Sequence, residues 1–177
     1  MNDFKFCPEC GGRNVSSPKG RKWLCADCGF ELYNNVASAV GLIIRNKEGR
    51  ILLEKRAREP RRGFLAFPGG FVDPDETAEE AAFRECFEEI GVKPAALRYI
   101  GSEPNTYEFK KITYKTCDLF FEAVLPSDAE LNIQESEVQA VDFVKIDSED
   151  DIEKTPLAFE SARKILKLWL SAKNQQV

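Results

Sequence analysis

Four of the six cysteines stand as Cys7-x2-Cys10-x14-Cys25-x2-Cys28, and this spacing leaves the first residues of the chain little freedom of fold. Four thiolates so placed close a tetrahedron around Zn²⁺, with Gly11-Gly12 and Gly29 following each pair where a tight turn is needed. With every position a cysteine, no coordination site stays open, so the zinc is expected to be structural. Residues 1–34 are too few to build a core and are expected to fold around the metal, ahead of a second domain at 35–177. Disulfides or a redox C-x-x-C are the competing readings, but no helix start follows either pair. Met1-Asn2-Asp3-Phe4-Lys5 lacks the pattern of a signal peptide, and no apolar run nears the roughly 20 residues that span a bilayer. A cytoplasmic protein with no membrane partner is expected, and a reducing compartment disfavours disulfides.

The net charge of −5 argues against nucleic acid as the main partner, because phosphates are repelled on average. There is no histidine, so a general base must be a carboxylate, a metal-bound hydroxide, or a shifted lysine or tyrosine.

Past Val36, Ala37 to Arg45 and Arg50 to Glu54 read as the strands of a hairpin turning at Asn46-Lys47-Glu48-Gly49. Arg56 to Gly63 is a basic loop, and Pro68-Gly69-Gly70 forces an irregular backbone. Thr77 to Ile90 reads as a helix, with Thr77 and Glu80 at capping-box spacing and Gly91 at its end. Leu97 to Gly101, Ile112 to Val124 and Glu137 to Ile146 read as strands, and Leu157 to Ala172 as an amphipathic helix. Helices flanking a mixed sheet, an α/β architecture, is the natural outcome. Cys86 and Cys117 sit in apolar periodic segments and are expected in the core. Trp23 and Trp169 mark either an interface or packed gaps.

Glu85, Glu88 and Glu89 stand at i, i+3 and i+4 and so share one helical face. Like charges at that spacing weaken a helix by a few tenths of a kcal/mol, which a bound cation would offset. Hard carboxylate oxygens without histidine or cysteine suit Mg²⁺ or Mn²⁺. A plain solvated acidic face is the alternative on these residues alone.

The surrounding residues resemble a known family. Gly70, Glu76 and the run Arg84-Glu85-Cys86-Phe87-Glu88-Glu89-Ile90-Gly91-Val92 follow the Nudix box G-x5-E-x7-R-E-U-x-E-E-x-G-U, with Cys86 for a bulky aliphatic as the one departure. The resemblance implies the family's αβα sandwich and attack of water at phosphorus in a nucleoside diphosphate linked to another moiety. It implies that the Gly69 carbonyl, Glu85 and Glu89 hold Mg²⁺ or Mn²⁺. Glu88 would bind a further ion or orient water, and Glu76 would pair with Arg84 to fix loop and helix. A later carboxylate completes such sites, which favours Glu137, with Glu135 second.

A zinc ribbon joined to this box is similar to the NADH pyrophosphatase subfamily, whose motif S-Q-P-W-P-F-P-x-S falls here on Ser102-Glu103-Pro104-Asn105-Thr106-Tyr107-Glu108-Phe109-Lys110. Only Ser102 and Pro104 are kept, so NADH, ADP-ribose, FAD and dinucleoside polyphosphates all stand as substrates. Tyr107 and Phe109 can stack on a base, Lys110 or Arg56 can meet a phosphate, and an ordinary loop is the alternative. The rival function is a nucleotide sensor whose ribbon touches nucleic acid or a partner. A capped RNA substrate and a homodimer are further possibilities that the resemblance raises.

Overall fold

The computed structural model describes residues 4–126 and 129–174. The cysteine-rich segment forms a three-stranded antiparallel sheet of β1 (Val15–Ser16), β2 (Lys22–Cys25) and β3 (Glu31–Tyr33). Trp23 fills its small interior, edge-on to Phe4 at 5.0 Å.

The remainder is an αβα sandwich. One sheet has the order β4 (Ala37–Ile44), β8 (Ile112–Val124), β7 (Ala96–Phe109), and the other β6 (Leu65–Ala66), β5 (Ile51–Arg56), β9 (Val138–Val144). Alternation along β4 divides the core: Val40, Leu42 and Ile44 join Ala81, Ala82, Cys86 and Ile90 of α1 (Ala78–Ile90). Ile43 faces the opposite way, packing with Ile165, Leu166 and Trp169 of α3 (Glu160–Asn174). Each fully buried aliphatic side chain contributes about 1.5–3 kcal/mol. Among the described residues no helix is long and apolar enough to cross a membrane.

Four sequence expectations are corrected. Ala37 to Arg45 and Arg50 to Glu54 are not a hairpin: β4 and β5 lie in different sheets, joined only by an Arg45–Ile51 bridge. Asn46 closes the turn as expected, its Oδ1 accepting from Glu48 N at 3.0 Å and Arg50 N at 2.9 Å, but the strands then diverge. The segment after Gly101 is strand, since β7 runs on to Phe109 and pairs with β8 throughout. Pro104 is tolerated because β7 is an edge strand, where a missing N–H breaks no ladder. The last helix starts at Glu160, because Leu157 is held beside Leu65 in a short parallel bridge, and a helix α2 (Glu149–Lys154), capped by Ser148 and Asp151, precedes it. Cys117 is only half-buried, whereas Cys86 is fully enclosed.

Candidate active site

The divergence of β5 leaves one edge of β4 open, and the glycine loop occupies it. Leu42 N donates to Pro68 O at 2.9 Å, Val40 N to Gly70 O at 2.8 Å and Val72 N to Ser38 O at 3.0 Å. Close approach demands glycine: a Cβ on Gly69, whose φ is +143°, would run into the Val40 carbonyl. At Gly70 a Cβ would meet the Glu85 carboxylate. The chain then enters α1 through the expected capping box of Thr77 and Glu80 and leaves it at Gly91, φ +76°.

Arg84 ties loop to helix. Its Nε and Nη2 donate to the two oxygens of Glu76 at 2.9 and 2.8 Å, Nη2 also reaches Phe71 O at 3.0 Å, and Nη1 reaches Glu85 at 2.7 Å. These bonds hold the Glu76 carboxyl below its ordinary range, and the same pairing raises Arg84 further. Glu89, only 9% exposed, accepts from Gly69 N at 2.6 Å. Burial raises the Glu85 and Glu89 carboxyls, and for Glu89 the neighbouring Glu54 adds to the shift.

A cavity of about 450 Å³ opens over this cluster, lined by Glu85, Glu89 and Gly69 together with Glu54, Glu137 and Arg56. The lining also includes Asp118, which accepts from Thr116 Oγ1 at 2.6 Å, Ser161 Oγ at 2.7 Å and Asn105 Nδ2 at 2.9 Å. An aromatic group flanks it: Tyr107 lies 5.3 Å from Phe71 and 5.7 Å from Phe159, with Tyr114 5.8 Å from Phe71.

The structure thus gathers Gly69, Glu85, Glu89, Glu137, Arg56, Tyr107 and Phe109 around one cavity. Glu137 is held by Arg58 at 2.7 Å, while Glu135 is exposed and off the wall. Glu88 is also off the wall, half exposed and 3.2 Å from Arg84 Nη1. Lys110 is not brought in either: it occupies the β7–β8 turn at φ +55°, its ammonium over the Phe109 ring. Glu54 and the Asp118 group are additional. A carboxylate directly after Ile51-Leu52-Leu53, on the face of buried Leu52, is the sequence signal for the former. Glu54 is 3% exposed, and burial pushes its carboxyl up to about 8.

In the cysteine-rich module the four Sγ atoms lie within 4.8 Å of one another, Cys7 to Cys28 at 3.6 Å and Cys10 to Cys25 at 3.7 Å. A tetrahedron with Zn–S bonds of about 2.3 Å has edges of about 3.8 Å, so the quartet fits zinc.

Comparison with known proteins agrees with this geometry. Residues 36–168 match the NUDIX domain model and residues 2–33 the NADH pyrophosphatase zinc ribbon domain. The chain is 28% identical over 171 residues to the NAD-capped RNA hydrolase NudC of Haemophilus influenzae (strain PittEE), an alignment covering 96% of this chain and 61% of that protein. It is 36% identical over 101 residues to the NudC of Vibrio cholerae, covering 57% of this chain and 37% of the relative. The chain therefore spans less than two thirds of the length of these curated relatives. A crystal structure of a NUDIX hydrolase from Nitrosomonas europaea superposes with TM-score 0.67 at 27% identity, covering 97% of this chain and 93% of that one. With a family model spanning the sandwich, the glycine loop and the acidic helix together, the chain belongs to the Nudix family and carries an N-terminal zinc ribbon.

Proposed function

We propose that the chain hydrolyses the pyrophosphate of a nucleoside diphosphate linked to another moiety, of the NAD(H), ADP-ribose or FAD type, with Mg²⁺ or Mn²⁺. The observation that carries this reading is one cavity lined both by oxygen-only acidic donors and by aromatic rings. The donor set fits a hard divalent cation, because Glu85, Glu89 and Glu54 bring carboxylate oxygens to one cavity wall without histidine or thiolate. Bound divalent ions neutralise phosphate charge and acidify water.

In this reading Glu85, Glu89 and the Gly69 carbonyl hold the cation, and Glu88 serves from the solvent side. Glu137 takes the proton of the attacking water at the carboxylate oxygen that Arg58 leaves free. The water oxygen bonds to phosphorus as the bridging P–O bond breaks, and the departing phosphate carries the displaced electron pair. Glu76 and Arg84 position Glu85 and the loop. Tyr107, Phe109 and Phe159 stack on the base, and Arg56 meets a phosphate. Residues 1–34 form the zinc-held module, and 35–177 the catalytic domain.

The test is phosphatase-coupled phosphate release from NADH, NAD, ADP-ribose, FAD, dinucleoside polyphosphates and NAD-capped RNA, with Mg²⁺ or Mn²⁺. Turnover of one substrate by wild type and its loss in Glu89→Gln is expected. Tight binding of one compound with no turnover of any would replace the hydrolase with a nucleotide sensor. The capped-RNA arm separates free dinucleotides from the substrate class for which the NudC relatives are named.

A further inference from the structure

Two buried carboxylates outside the Nudix box line the cavity, Asp118, which is satisfied by Thr116, Ser161 and Asn105, and Glu54. Glu54 sits in β5, the central strand of its sheet, paired to Ala66 of β6 on one side and Val141 of β9 on the other, so its backbone is held on both edges. Its side chain emerges on the face of Leu52, toward α1, and ends on the cavity wall beside Glu85 and Glu89. One carboxylate oxygen, Oε1, is buried with no hydrogen-bond partner among the described residues. The carboxyl stands within hydrogen-bonding reach of Glu89, and the Glu85 and Glu137 carboxylates add to the negative field around it.

Nothing in the fold calls for an acid here. The two residues before it on the strand, Leu52 and Leu53, are fully buried, and a leucine at the same point would extend the apolar face without stranding a polar atom. The nearby cation, Arg56, lines the same cavity and opposes part of this field, but it makes no hydrogen bond to Glu54: its Nε donates to Pro60 O at 2.9 Å and its guanidinium lies over the Phe159 ring. A divalent cation in the cavity would satisfy the orphaned oxygen and offset the crowding of Glu54 against Glu89 together. Oxygen donors alone select a hard ion over zinc.

We propose that Glu54 is a direct ligand of the divalent cation held by Glu85 and Glu89, a position outside the Nudix box, and this assignment rests on the hydrolase reading above. The site is then built from two elements: an acidic helix supplies the adaptable ligands, and the centre of a sheet supplies a fixed one.

Mn²⁺ titration of the full, zinc-loaded chain, followed by the electron paramagnetic resonance of free Mn²⁺, tests this without reference to turnover. Wild type, Glu54→Gln and Glu54→Asp are compared, each with a thermal unfolding curve with and without Mn²⁺. Direct ligation predicts Mn²⁺ binding weaker by more than the roughly 10- to 100-fold that loss of an outer-shell partner costs, in both variants, and a smaller Mn²⁺-induced rise in melting temperature. Wild-type affinity in Glu54→Gln overturns the assignment. Weak binding in Glu54→Gln with wild-type binding in Glu54→Asp also overturns it, because charge alone would then suffice without reach. Should both variants unfold below the assay temperature, Glu54→Leu, which suits the apolar strand, takes their place with the same expected loss. A wild-type chain that binds no Mn²⁺ refutes the hydrolase reading along with this one, whereas wild-type binding unaltered by the substitutions refutes only this one.

Discussion

Replacing Gly69 by alanine tests whether the glycine loop is held by close approach to β4. An added Cβ would overlap the Val40 carbonyl oxygen, with the carbonyl carbon at 2.9 Å and Gly41 Cα at 3.0 Å. Carbon–carbon contacts rest at about 3.5–4.0 Å, so the loop must retreat by at least about half an ångström. The φ of +143° adds a conformational cost for any L side chain, on the order of 1–3 kcal/mol. Retreat also loosens the three backbone bonds that join Pro68, Gly70 and Val72 to β4, each contributing about 1 kcal/mol. The expected loss is about 3–5 kcal/mol in urea unfolding, with the slope unchanged because the surface exposed on unfolding is set by the whole sandwich and not by this loop. Since Gly69 N holds Glu89 at 2.6 Å, Mn²⁺ affinity should fall as well, by roughly tenfold or more. A Gly69→Ala protein within about 1 kcal/mol of wild type that binds Mn²⁺ normally would refute the close-approach argument.

Arg84→Lys keeps the charge but not the fork that grips both Glu76 oxygens, so kcat/KM should drop by about 10- to 100-fold; an unchanged value would mean that a point charge is enough. Cys28→Ser should abolish zinc retention, read by a colorimetric chelator, and shift Trp23 emission to the red as its enclosure opens. Burial raises Glu54 to about 8 from an ordinary 4.5, so between those pH values the folded chain holds a proton that the unfolded chain has released. Stability of the zinc-loaded protein without Mg²⁺ or Mn²⁺ should therefore fall as pH rises from about 4.5 to about 8. Urea midpoints that rise or stay level across that window would contradict this, and Glu54→Gln should flatten the slope.

The features legible in the sequence share a short range. The cysteine quartet, the Thr77–Glu80 capping box and the 70–92 box are each confined to one short stretch of chain, and the structure brings the four Sγ atoms together and forms the capping box. What was not legible depends on distant pairing. That β4 runs parallel to β8 while β5 leaves for another sheet is decided by residues nearly eighty positions apart, such as Leu42 opposite Phe121. Pro104 and Asn105 resemble a loop until the edge position of β7 is known. Asp118 acquires meaning only when Ser161 arrives from α3. Lys110 was placed by analogy with a degraded motif, and the two-residue turn carries it off the wall.

The glycine loop also acts as a guard for β4. An unpaired strand edge is a template for association with another chain, and here Pro68, Gly70 and Val72 cap that edge with main-chain bonds. Substitutions that lift the loop therefore uncover an adhesive edge at the same moment that they disarm the chemistry. For protein engineering this couples two properties that are usually tuned separately: a slacker loop, chosen to admit bulkier substrates, would come with a greater tendency to self-associate.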